Sequence, residues 1–152
     1  MRRDVRLRDL SRDHHHALVL ARFIQAMCVR DCLEEDAVAI VTERFTSEIV
    51  PHFLVEDTLL AALEGRGVDD LVERTRSEHA TMRRLLESAR PTDPSPLREL
   101  ALLLVEHVRF EERELYPACE ERLDDEMLDR IAHAHAHAHA HPPDAEALEE
   151  EA

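Results

Sequence analysis

Residues 107–117 read HVRFEERELYP, and this stretch decides how the rest of the chain must fold. It follows the apolar run LALLLV at residues 100–105, which predicts a helix. On that helix His107 and Glu111 lie one turn apart on the same face, together with Leu100 and Leu104. A histidine and a glutamate that face a core are costly to bury unless other groups pair with them. The other helices must therefore supply these partners.

The composition predicts an all-α protein with one domain. The chain has 152 residues, contains two glycines and no tryptophan, and is rich in the helix formers Ala, Leu, Glu and Arg. No segment shows the alternation and β-branched enrichment of a strand. We predict a helical domain at residues 1–131 and a His/Ala-rich and acidic tail at 132–152, which we expect to be disordered.

Charge and hydropathy exclude several classes of protein. The formal net charge of −15 argues against binding to nucleic acid or to an anionic membrane surface. No apolar run approaches the ~18 residues of a membrane helix, and the apolar stretch typical of a signal peptide does not follow residues 1–4, so we expect no signal peptide. We therefore expect a cytoplasmic protein with free thiols at Cys28, Cys32 and Cys119. The sequence indicates no particular protein partner.

Apolar residues at three- and four-residue spacing predict four long helices, A to D. Helix B contains Pro51, which should kink it directly before His52, and Pro117 should bend or end helix D. Short connections between long helices favour an antiparallel, up-down-up-down four-helix bundle. The predicted ranges are 12–30 with Ser11 as the N-cap, 34–65, 69–89 and 96–116, with a short fifth helix that ends at Ile131.

Each of the four apolar seams carries a histidine near its middle. Of the three consecutive histidines on helix A, His14 lies on the seam, although His15 remains an alternative. In an antiparallel bundle the helix midpoints meet at one level, so these polar side chains should converge. The predicted cluster contains four histidines and two glutamates: His14, His52, Glu56, His79, His107 and Glu111.

Electrostatics favours metal ions at the centre of this cluster. Two buried carboxylates repel each other, whereas two divalent cations bridged by Glu56 and Glu111 would remove the repulsion. Imidazole and carboxylate suit iron, and also manganese or zinc. His79 and His107 would bind one ion, and His14 and His52 the other. The alternative is a set of partly exposed polar seams without metal.

Four segments resemble the hemerythrin-like (HHE cation-binding) family over residues 10–123. They are SRDHHHAL at 11–18, PHFLVE at 51–56, SEH at 77–79 and HVRFEERELYP at 107–117. The resemblance implies a non-haem centre of two iron ions, with an oxide or hydroxide bridge, that binds O2 or senses oxygen, redox state or iron. A small enzyme acting on peroxide or nitric oxide, and a bundle that holds zinc or a single metal ion, are the alternatives.

The sequence departs from the family's oxygen carriers at two positions. Thr75 stands where those carriers have a further histidine on the third helix, and Glu111 follows His107 by four residues where they have an aspartate after five. One iron should therefore have a position open to water or to a small ligand. An open position favours sensing or reactivity over stable storage of O2.

Tyr116, Glu112 and the His-Ala repeat lie outside the predicted metal-binding cluster. We expect Tyr116 to pack at the end of the bundle with its hydroxyl at the surface, and Glu112 to lie on a solvated face. The His-Ala repeat at residues 133–141 would chelate zinc, nickel or copper loosely, or it is a repeat without a metal role. On a helix its histidines would divide between two faces, one with His135 and His139 and the other with His133, His137 and His141.

Overall fold

The computed structural model describes residues 2–140, and its regular elements in this range are helices, with no β-strand. The predicted all-α class is therefore confirmed. A 3-10 turn at Val5–Leu7 precedes the first helix, and π-helical segments at Phe45–Ile49 and Glu111–Leu115 join consecutive α-helices. The α-helices are α1 (Arg8–Met27), α2 (Ala37–Arg44), α3 (Val50–Leu63), α4 (Asp69–Ser88), α5 (Ser95–Phe110), α6 (Tyr116–Arg122) and α7 (Asp125–Ala140).

Proline explains both π-helical segments. Pro51 and Pro117 have no N–H, and their rings clash with the carbonyls four residues earlier, at Ser47 and Arg113. Both carbonyls lie inside a π-helical segment, where the wider turn relieves the clash. The predicted kinks are thus local widenings, and the chain stays helical from Ala37 to Leu63 and from Ser95 to Arg122.

Among the four long predicted helices, the boundaries differ from the prediction mainly at the N-terminus of the first. Helix α1 begins at Arg8, not after Ser11, because the turn at Val5–Leu7 leads directly into it. Asp4 caps that turn by accepting a hydrogen bond of 2.9 Å from the backbone N–H of Arg6. Helix α3 ends at Leu63, close to the predicted end at Gly65, whose φ of +72° is the left-handed conformation that glycine adopts most easily.

The core consists of two apolar clusters with a polar layer between them. One cluster contains Ala17, Phe53, Met82 and Leu104, and the other contains Leu10, Leu59, Val72 and Leu115. On α1, α3 and α4, the predicted site residues lie between members of the two clusters. The layer is therefore enclosed by apolar side chains on both sides along the bundle.

The last helix is longer than the sequence predicted. Helix α7 continues through the His-Ala repeat to Ala140, so residues 132–140 are helical and do not form the expected disordered tail. Asp124 caps α7 by accepting a 2.9 Å hydrogen bond from the N–H of Met127. Ala134 and Ala138, one turn apart, pack against the second apolar cluster. The rest of the predicted tail, 141–152, lies outside the described residues.

No helix within residues 2–140 is long and apolar enough to span a membrane. Cys28, Cys32 and Cys119 are free cysteines, as expected, with Cys28 and Cys119 buried and Cys32 exposed.

Candidate metal centre

All six predicted site residues are buried in the polar layer. The side chains of Glu56 and Glu111 are completely inaccessible to solvent, and no histidine of the set is more than 5% exposed. His15 and His16 are exposed, so the structure selects His14 as the buried member of the three consecutive histidines. The helices thus bring six ionisable side chains together in one layer of the core.

The Nε2 atoms of the four histidines are directed at the two carboxylates. His14 Nε2 lies 2.8 Å from Glu111 Oε2, and His107 Nε2 lies 2.5 Å from Glu111 Oε1. Glu56 faces the other two histidines, with Oε1 at 3.1 Å from His52 Nε2 and Oε2 at 3.1 Å from His79 Nε2. Both carboxylates therefore stand between imidazoles from different helices.

These atoms divide into two overlapping sets. His14 and His52 form one set with both glutamates, and His79 and His107 form the other set with the same two glutamates. In each set, one donor atom per residue lies within 4.8 Å of all the others. The division matches the two pairs of histidines that the sequence predicts.

Three of the histidines are held at their second nitrogen by a further carboxylate. Asp13 Oδ2 lies 3.1 Å from His52 Nδ1, Glu78 Oε1 lies 3.2 Å from His107 Nδ1, and Glu112 Oε1 lies 2.8 Å from His14 Nδ1. Such carboxylates fix the orientation of an imidazole and make its other nitrogen a better donor to a metal. The expectation that Glu112 is only solvated is therefore wrong.

Sequence reasoning missed these carboxylates as supports, although each stands next to a predicted site residue. Asp13 precedes His14, Glu78 precedes His79, and Glu112 follows Glu111. Neighbouring residues on a helix point about 100° apart. Each support consequently turns away from its own helix's site residue and towards a histidine of an adjacent helix. An acidic residue directly beside His14, His79 and Glu111 was the available signal.

Tyr116 belongs to the polar layer, not to the surface. Its side chain is fully buried, and its hydroxyl donates a 2.8 Å hydrogen bond to Glu56 Oε1. The same hydroxyl lies 3.2 Å from His14 Nε2, and its ring stacks on the His14 ring at 5.4 Å. The predicted surface hydroxyl is thus wrong, because α6 continues the helix after Pro117 and keeps Tyr116 facing inward.

Thr75 is also fully buried, but its hydroxyl turns to its own helix. It donates a 2.8 Å hydrogen bond to the carbonyl of Leu71. Phe53 stacks on the His79 ring, with ring centroids 3.7 Å apart, and so restricts that imidazole from one side. His79 therefore has an apolar neighbour in Phe53 beside its contacts with the two glutamates and His107.

The charges of the cluster balance each other. Burial lowers the pKa of His107, but Glu111 opposes this effect and the pKa rises to about 10. Burial also lowers the pKa of His52, but Glu56, Asp13 and Glu111 together outweigh it, and the pKa is raised well above its usual value. Burial raises the pKa of Glu111, but His107 and the other imidazoles hold it well below its usual value. Without metal, protons on the imidazoles compensate the two carboxylates.

The residues fit a metal centre by their donor chemistry. Three inward-facing atoms have ion-pair contacts but no well-directed hydrogen bond among the described residues, namely His52 Nε2, Glu56 Oε2 and Glu111 Oε1. Buried polar atoms without a hydrogen bond are rare and call for an explanation such as a bound ion. Imidazole nitrogens and carboxylate oxygens are donors that suit iron, manganese or zinc.

Comparison with known proteins agrees with this geometry. No curated protein and no solved structure matches the chain. The sequence profile described as the hemerythrin HHE cation-binding domain matches residues 6–119, a range that contains all six buried side chains of the cluster. Since the match covers well over half of the sequence, the chain belongs to the hemerythrin HHE cation-binding domain family.

Proposed function

We propose that the protein is a non-haem di-iron protein that binds O2 or senses oxygen, redox state or iron. His14 and His52 would hold one iron, His79 and His107 the other, and Glu56 and Glu111 would bridge them. The iron pair would supply reversible one-electron chemistry and a binding position for a small oxidant. The protein supplies the orientation of the imidazoles and the exclusion of water.

The observation that carries this proposal is the pairing of the histidines around two shared glutamates. Both carboxylates belong to both donor sets, which is the arrangement that two bridged cations require. The carboxylates on the Nδ1 atoms of His14, His52 and His107 support it further, because metal-binding histidines commonly have such partners.

The bundle topology supports the same proposal. Helix α1 runs from the apolar cluster that contains Leu10 to the one that contains Ala17. The continuous helical stretch formed by α2 and α3 runs in the opposite direction, from Val41 to Leu59. Helix α4 then runs in the same direction as α1, and the continuous stretch formed by α5 and α6 runs in the same direction as α2 and α3. This alternation supports an antiparallel four-helix arrangement, in which inward-facing residues at the middle of each helix meet.

Burial restricts the ligand to a small molecule. The two glutamates have no exposed surface and the histidines have almost none. A substrate of ordinary metabolite size would have to displace several packed side chains, whereas a diatomic molecule needs only small fluctuations of the core. The hydroxyl of Tyr116 lies 3.2 Å from His14 Nε2 but donates its proton to Glu56 Oε1, so it would have to turn away from Glu56 to donate a hydrogen bond to such a ligand.

Exposure of the reduced, iron-loaded protein to O2 tests this function. A binding or sensing protein should change its optical spectrum reversibly and stop taking up O2 once the centres are filled. His14→Ala should lose the change, whereas His15→Ala, an exposed neighbour, should keep it. Continuous consumption of O2, peroxide or nitric oxide in the presence of a reductant would instead identify an enzyme.

A further inference from the structure

A second group of side chains with the chemistry of metal ligands lies where α7 packs beside α1, outside the central cluster. We propose that Asp13, His135 and His139 form a separate site for one divalent transition-metal cation of the zinc class. Two imidazoles and one carboxylate are donors that zinc, nickel and copper accept, and three protein ligands leave one position for water.

The donor atoms are already gathered around one point. His135 Nε2 lies 2.9 Å from Asp13 Oδ2 and 2.9 Å from His139 Nε2, and His139 Nε2 lies 3.5 Å from Asp13 Oδ1. In a tetrahedral zinc site with bonds of about 2.0–2.1 Å, ligand atoms are separated by about 3.3 Å. The observed separations lie on either side of this value, so small side-chain movements would complete the site.

Two of the three proposed ligands are largely buried, and the third is exposed to solvent. The side chain of Asp13 is 10% exposed and that of His135 is 13% exposed, whereas His139 is 49% exposed. The first two ligands are therefore held by the packing of α7, and the cation would enter from solvent past His139. A water molecule can take the remaining position on the same side.

The helical form of the repeat explains which of its histidines take part. His135 and His139 are separated by one turn and share the face of α7 that meets Asp13. His133 and His137 lie on the exposed side of the helix. A flexible His-rich tail would use all its histidines equally, whereas this helix presents one particular pair to a carboxylate.

Asp13 also lies 3.1 Å from His52 Nδ1, so it contacts both the proposed site and the central cluster. Substituting Asp13 would disturb both places. The variant His135→Ala/His139→Ala leaves Asp13 unchanged and is the cleaner probe. The matched control is His133→Ala/His137→Ala, which removes the same number of histidines from the same helix. Alanine favours helix, so neither variant should unfold α7.

The test is a zinc titration of the full-length, iron-saturated protein against a chromophoric chelator. The unmodified protein and the His133→Ala/His137→Ala control should bind one additional zinc with affinities within about threefold, whereas His135→Ala/His139→Ala should lose at least about tenfold. Equal losses in both variants, or no loss in either, would overturn the proposal. The difference between the two variants does not depend on which metal occupies the central cluster.

Cobalt provides a second readout on the same proteins. Cobalt at Asp13, His135 and His139 should give the visible absorption of a four-coordinate ion in the control and not in His135→Ala/His139→Ala. Circular dichroism of each variant checks that α7 remains helical. Identical cobalt spectra in both variants would contradict the site even if zinc affinity differed.

Discussion

The imidazole of His107 lies between two carboxylates, Glu111 at Nε2 and Glu78 at Nδ1. The first contact faces the proposed metal position, and the second fixes which nitrogen carries the proton. His52 and His14 repeat the arrangement with Asp13 and Glu112. A carboxylate on another element thus raises the donor strength of these three imidazoles.

Removing the support of His107 should weaken iron binding. We expect Glu78→Ala to lower iron affinity by about 10- to 100-fold, because Nδ1 of His107 loses its acceptor. Glu73→Ala, an exposed glutamate on the same helix, should leave the affinity nearly unchanged. Competition with an iron chelator measures both. Equal affinities in the two variants would mean that Glu78 has no role in holding His107.

The sequence identified the site residues that lie on the apolar face of their own helix. It missed the carboxylates that contact a histidine of another helix. His14 and His79 could be found because the period of the helix places them among core residues. Asp13, Glu78 and Glu112 point towards neighbouring helices, so their role depends on how the helices pack. The hydroxyl of Tyr116 was misplaced for a related reason, since its position depends on how the chain continues beyond Pro117.

The elements that set the geometry of the cluster are the two π-helical segments. Each widens the turn around a carbonyl that proline would otherwise strike, and Glu111 is the first residue of the second segment. The sequence predicted a disturbance at Pro51 and Pro117, but the choice between a kink, an end and a widened turn depends on packing against other helices. The length of helix α7 was underestimated because the alternating His-Ala pattern shows no apolar helix face in the sequence. Only the packing of Ala134 and Ala138 against the core reveals that face.

The end of α3 offers a test of backbone conformation. Gly65 has a φ of +72°, and a Cβ added there would meet no atom within 4 Å. We expect Gly65→Ala to destabilise the protein by about 1–2 kcal/mol through backbone strain alone. Gly65→Asn should cost less, because asparagine tolerates this conformation better. Urea denaturation of the three proteins measures the difference, and an alanine variant as stable as the parent would contradict the assigned helix end.

The whole molecule has a net charge of −15, and its nineteen cationic side chains are all arginines. The chain therefore has no lysine that would titrate as the pH rises. Burial raises the pKa of Tyr116 well above its usual value, an effect that Glu56 and Glu111 strengthen. Burial likewise raises the pKa of Cys28 and Cys119. The response of stability to mildly alkaline pH should consequently report mainly on the buried histidines.

The metal-free protein should lose stability as the pH rises from 7 to 9. An unfolded histidine releases its proton near pH 6.5, whereas folded His107 keeps its proton up to about pH 10. The stabilisation is therefore fully present below about pH 6.5 and is lost as the pH rises through the folded pKa. We expect the midpoint of urea denaturation to be lower at pH 9 than at pH 7.

Two variants separate this effect from a general response to alkali. His107→Gln should reduce the dependence on pH, and His133→Gln, on the exposed face of α7, should keep it. Iron should also reduce the dependence, because it takes the place of the protons. A metal-free protein that becomes more stable between pH 7 and pH 9 would contradict the charge balance described for the cluster.

The most direct test of the di-iron centre is the iron content of the full-length protein, measured with its optical spectrum before reduction, after reduction and after exposure to air. The protein should be purified without a nickel column, since the His-Ala repeat can collect nickel. We expect about two irons per chain, with charge-transfer bands that disappear on reduction and return in air, and a clear loss of iron in Glu111→Ala. Less than about half an iron per chain, with the same content in Glu111→Ala, would contradict the account.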